Sequence, residues 1–262
     1  MSTRTLAASN GSSGRSLVAL ATYALALLAW ASLFGRWLPM PDAMPGVSMS
    51  DPGVPEAMAT NAGPTGVGLY LLAWGVMMVA MMYPGAARLF SVYADGDWTR
   101  TRRAKLLAVS VFVGTYTLVW TLTGLVPLAA NLVVPIASTA SAAGPVFFGS
   151  AVVALAAFQL TPHRFRCLRH CRSPEGFVEH HREPGVRGAV RTAWHVTRYD
   201  VGSCWPLMSL MVVVGSMNVF WMVVIALVLF LERTVPRGEL LARTVGVAGG
   251  VVGVGIVASV VV

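Results

Sequence analysis

Four stretches of this chain carry no Lys, Arg, Asp or Glu and are long enough to constrain everything else: Leu17 to Gly35, Val67 to Ala87, Leu106 to Pro162 and Val201 to Leu231. A bilayer-crossing helix needs ~20 apolar residues. In hydrocarbon, each segment must satisfy its own backbone hydrogen bonds, so such runs are read as α-helices. The balance of 56% hydrophobic to 11% charged residues is that of a multi-span membrane protein and not of a soluble domain. The expected fold is therefore all-α, a polytopic transmembrane helical bundle.

The run from Leu106 to Pro162 must hold two spans, broken near Pro127, Asn131, Pro135 and Gly144-Pro145. As one helix, Val201 to Leu231 would be roughly 46 Å long, well beyond the ~30 Å hydrocarbon core. The stretch Gly215-Ser-Met-Asn218 can break it into two. Charge decides the parity. With seven spans, 18 of the 19 basic residues lie on one side and only Arg36 lies outside. With six, Arg233, Arg237 and Arg243 would join it there. The positive-inside tendency favours seven, with a cytoplasmic N-terminus. The expected spans are roughly 17–38, 67–89, 106–128, 144–161, 196–215, 218–232 and 240–261.

This division gives a polar N-terminal tail over 1–16 and a single helical membrane domain over 17–262. The domain includes an external Met-rich loop at 39–66 and a cytoplasmic basic segment at 162–198. The first apolar stretch continues to Leu38 and reads as an uncleaved signal anchor. The net charge of +8 is a topology signal, because the Arg residues flank spans. It is not a nucleic-acid footprint. The reading places the chain in a cytoplasmic membrane, as a multi-pass protein with the lipid bilayer as its first partner.

Within the second span, Met77, Met78, Met81 and Met82 fall on one contiguous arc of about 140°. Pro84 follows and is expected to bend the helix. Four thioethers on one face are soft ligands, suited to copper(I) or another soft metal. They equally suit a packing face, since Met adapts to irregular cores. In the fifth span Cys204, Met208 and Met211 make a stripe within ~60°. Met217 and Met222 continue sulfur into the sixth.

Thr161 is a natural N-cap, with Pro162 at the first helical position. Ser173-Pro174 repeats that start signal. On the helix between them, His163, Cys167, His170 and Cys171 lie within ~100° of arc. The i, i+4 cysteines can clamp one soft ion, although the spacing is not that of a zinc ribbon. Arg164, Arg166, Arg169, Arg172 and Arg182 crowd the segment and would favour thiolates. The bland alternative is an anionic-lipid contact with two inert cysteines. His180 and His181 are expected to face solvent. Asp200 needs a partner, with Arg198 or a cation as the candidates. The loop bearing Met40, Met44, Met49 and Met58 reads either as an external collector for soft metal or as an irregular Pro/Gly linker. The last span carries small-xxx-small pairs, Gly246/Gly250 and Gly249/Gly253, which let a neighbouring helix approach.

Three of these segments together resemble a known family. Trp74-x-x-Met77-x-x-Ala80-Met81-Met82-x-Pro84 is one signature. Thr161-Pro162 through Cys167-Leu-x-x-Cys171-Arg-Ser-Pro174 is another. Gly202-x-Cys204-Trp205-x-x-Met208, with Gly215-x-Met217-Asn218 and Trp221-Met222, is the third. The resemblance is to a bacterial family of predicted metal-binding integral membrane proteins, a domain of unknown function, and covers roughly residues 67–262. It implies metal binding and no established reaction. Family members often carry Cys where Asp200 and Ser203 stand here.

The function expected is an integral membrane protein that binds Cu(I), or another soft metal, for transport, delivery or buffering. The ligand candidates are Met77, Met78, Met81, Met82, His163, Cys167, His170, Cys171, Cys204, Met208 and Met211. The alternative is a non-catalytic accessory or assembly subunit with a membrane-protein partner or a second copy of the chain. The sequence has no nucleophile–base pair, cofactor signature or P-loop, so neither an enzyme nor an ATP-driven pump is indicated.

Overall fold

The computed structural model describes residues 3–38, 48–96, 101–181 and 183–261, and these are mostly helical. Eleven helices run through the described residues: α1 (Thr3–Phe34), α2 (Val54–Asn61), α3 (Gly63–Asp95), α4 (Arg102–Leu122), α5 (Leu125–Val133), α6 (Ile136–Gln159), α7 (Pro162–Arg172), α8 (Pro174–His181), α9 (Gly185–Val214), α10 (Val219–Thr234) and α11 (Gly238–Val261). Among the described residues, five segments are long and apolar enough to cross a membrane: Arg15–Phe34, Gly63–Asp95, Arg102–Val133, Ile136–Gln159 and Gly238–Val260.

Seven such segments were expected. The shortfall is α9 and α10. α9 carries Arg187, Arg191, Arg198 and Asp200, leaving only residues 201–214 uncharged. α10 has 16 residues, fewer than a straight span requires. The break between them falls where the sequence put it. α9 ends at Val214, Gly215 has φ 108°, and the Asn218 side chain caps α10 by accepting from Trp221 N at 3.4 Å. The start signals also hold. Thr161 caps α7 through Arg164 N, and α8 opens at Pro174.

Three other expectations change. α6 begins at Ile136 rather than near 144, and Gly144-Pro145 is a kink inside it, with Gly144 at φ 38°, ψ −114°. α3 runs through Pro84 and on to Asp95. The loop expected to be irregular folds into α2 over Val54–Asn61, opened by Gly53 at φ 74° and Pro55 in the first turn. Met40 and Met44 lie outside the described residues; Met49 and Met58 are half-buried.

The packing explains which faces are buried. α3 packs against α4 and α10, and α9 packs against the same two helices, so α3 and α9 stand across a four-helix centre. α1 covers another side of α3. α11 lies on α6 through its glycines. A Cβ at Gly253 would sit 2.9 Å from the Gly149 carbonyl and 3.0 Å from Val153 N. That face is therefore filled from within the chain. The perimeter is apolar, with Leu20, Leu27 and Leu28 of α1, Leu106 and Leu118 of α4, and Val251 and Val254 of α11 all exposed. Such a surface is compatible with a lipid environment.

Candidate metal centre

Both sulfur-bearing faces point into the four-helix centre. Met77, Met78, Met81 and Met82 are each at most 2% exposed, so none of the quartet reaches the perimeter. They share one packed cluster with Cys204, Met208 and Met211 of α9 and Met222 of α10. Met217 packs against its edge.

Two contacts set the register of these helices. At the α2 end, Ser216, in the α9–α10 turn, lies beside the Tyr70 side chain of α3. At the α7 end, Gly85 of α3 abuts Arg233 of α10: a Cβ on Gly85 would lie 3.0 Å from Arg233 Cδ. The Arg233 guanidinium in turn donates to the Cys204 sulfur of α9 at 2.7 Å. At 1.5 Å per residue, Tyr70 to Gly85 covers about 22 Å and Ser216 to Cys204 about 18 Å. Counted from the α2 end, Met77 and Met211 then lie about 8–10 Å down, Met78 and Met208 about 12 Å, and Met82 and Cys204 about 18 Å. On this count the sulfurs of the two helices fall at matching depths.

A polar network closes the α7 end of this column of sulfurs. Asp200 is buried and pairs with Arg233. Its second carboxylate oxygen accepts the Tyr116 hydroxyl from α4. Cys171 Sγ of α7 lies 3.6 Å from both Asp200 Oδ1 and Ser203 Oγ, and Ser203 Oγ is 3.4 Å from Cys204 Sγ. Ser203 thus sits between the two cysteines. A second buried ion pair, Arg164–Glu232, lies alongside: Arg164 Nε donates to the Ser203 carbonyl at 3.2 Å, and Gln159 donates to Glu232 at 3.2 Å. Arg172 binds the carbonyls of Glu232, Val235 and Pro236, tying α7 to the end of α10.

The expected ligands on α7 separate. Cys171 joins the network. Cys167 is buried against Gly202, where a Cβ would lie 3.0 Å from its sulfur, with His163 Nε2 3.9 Å away. His163 and His170 are exposed. His170 stacks on Tyr199 at 4.7 Å and has its Nδ1 on the Arg166 carbonyl at 2.8 Å. Among the described residues, no three His, Cys, Asp or Glu side chains come together as a ligand group, so a metal in the column would rest chiefly on thioether and thiol sulfur.

The arginines do not favour thiolates as expected. Arg166 acts in that direction on Cys167, but desolvation is larger and holds that thiol above its ordinary range. Cys171 is held well above its range, first by burial and then by the Asp200 carboxylate. Asp200 pairs with Arg233 rather than with Arg198, which lies over the Tyr199 ring at 4.9 Å. Tyr116, Ser203 and Arg233 were absent from the sequence-derived site. Arg233 carried the one available signal, a charge at the end of an apolar helix.

Residues 71–256 match the family described as PpoB2, copper chaperone. No curated protein and no solved structure matches the chain.

Proposed function

The chain belongs to the PpoB2 copper chaperone family, and from that premise we propose that it is a membrane-embedded chaperone that holds Cu(I) on the sulfur column between α3, α9 and α10. The supporting observation is the burial of Met77, Met78, Met81 and Met82 in one cluster with Cys204, Met208 and Met211. Thioethers prefer Cu(I) to harder ions, and a dry core offers no competing water.

In this reading the single membrane domain is 17–262, with α9 and α10 completing seven spans and the basic segment 162–198 cytoplasmic. The matching depths let the ion move along the column by exchanging one sulfur for the next. Cys204 and Cys171 end the path at the α7 side, where copper is delivered. Arg233 donates a hydrogen bond to the Cys204 sulfur. Binding there requires the guanidinium to shift its hydrogen bond to Asp200 alone. Cys167 with His163, and His170, stand beside this exit as later acceptors.

Competition against a Cu(I) chelator tests this. The purified protein should take up Cu(I), and Met82→Leu with Cys204→Ser should lower the affinity at least tenfold. Unchanged affinity in that double variant would falsify the column. The glycine face of α11, where a partner helix could have docked in an accessory-subunit reading, is already covered by α6.

A further inference from the structure

A second cluster of donors lies at the opposite end of the column. Glu56 of α2 is fully buried, and its Oε1 accepts the Tyr70 hydroxyl at 2.8 Å. Its Oε2 has no hydrogen-bond partner. Glu56 also makes no ion pair among the described residues. Ser216, likewise fully buried, has its side chain beside the same Tyr70 phenol. The approach is close. A Cβ on Gly215 would run into the Ser50 carbonyl, so the segment leading into α2 sits directly on the α9–α10 turn.

A Glu that only anchored α2 to Tyr70 would need one oxygen. Here a second carboxylate oxygen is buried beside the phenol and the Ser216 hydroxyl with nothing to bind, an arrangement that is costly in an apolar core unless a ligand completes it. Because these are oxygen donors, they suit a harder ion than thioethers do, and among first-row divalent ions such a site favours Cu(II).

We propose that Glu56, Ser216 and Tyr70 form an oxygen-donor site for Cu(II) at the α2 end, about 10 Å above Met77 along α3. The inference rests on the copper reading of the column but concerns a different ion and a different ligand set. The chain then has two copper sites of opposite softness, one at the α2 end and one within the core.

Electron paramagnetic resonance of the full-length purified protein with one equivalent of Cu(II) tests it. The expected signal is stoichiometric and axial, and lacks nitrogen hyperfine coupling. Glu56→Gln should reduce Cu(II) affinity at least tenfold, and Ser216→Ala several-fold, while Cu(I) titration of both variants stays at the wild-type value. Loss of Cu(I) binding in the wild-type protein would fault the column instead. A nitrogen-coupled signal that survives Glu56→Gln, assigning the ion to His180 or His181, would overturn the proposal. Ser216→Ala removes only a hydroxyl and keeps the test open if Glu56→Gln does not accumulate; an unchanged signal in that variant would also overturn it.

Discussion

Arg233 donates a hydrogen bond to the Cys204 sulfur at 2.7 Å while pairing with Asp200. One guanidinium therefore satisfies the buried carboxylate and covers the thiol at the α7 end of the methionine column. Removing either charge leaves the other buried and alone.

Asp200→Asn should lower stability by about 3–5 kcal/mol, since it strands a buried Arg233. Replacing both, as Asp200→Asn with Arg233→Gln, should cost clearly less than the single change. Thermal unfolding of the three proteins in one detergent checks this. Equal losses in the single and double variants would mean that the pair is not coupled.

Met81→Leu with Met82→Leu conserves volume and apolarity, so it should change stability by less than about 1.5 kcal/mol. The same variant should lose at least tenfold in Cu(I) affinity. A pure packing role predicts the opposite split, with unchanged copper binding.

Cys171 is held above the ordinary cysteine range by burial and by Asp200. A thiol raised in the folded state favours folding at all pH below its unfolded value, and that contribution is lost as pH rises through the folded value. Stability should therefore fall in alkali, above roughly pH 8.5. Maleimide labelling of Cys171 at pH 7 should be slower than that of an exposed cysteine. Copper binding at this thiol must release a proton, so its affinity should rise by up to about tenfold per pH unit.

Gly253→Leu should destabilise the fold by about 1–3 kcal/mol, because its side chain would push against Gly149 and Val153 of α6. If the glycine face of α11 instead served a partner, the isolated protein would unfold at the wild-type temperature.

The sequence disclosed faces better than neighbours. Helical arc placed Met77 to Met82 on one side of a span and Cys204 to Met211 on one side of another. Gly215 to Asn218 and Thr161-Pro162 marked breaks that the helices respect. Periodicity carries no information about which helix stands opposite, so the diagonal placement of α3 and α9 was not legible. Nor was the pairing of Asp200 with Arg233, 33 residues apart, because Arg233 read as a topology charge at the end of a short span. The α7 cluster failed for a related reason. A shared arc brings side chains to one face, but Cys171 turns toward Asp200 while Cys167 is buried against Gly202. Glu56 was hidden by a Pro- and Gly-rich stretch that reads as loop and folds as α2.

X-ray absorption at the copper edge of the Cu(I)-loaded protein tests the central claim most directly. The account predicts a first shell made of sulfur alone, which loses scatterers in Met81→Leu with Met82→Leu and in Cys204→Ser. A shell dominated by nitrogen or oxygen, unchanged in both variants, would contradict it.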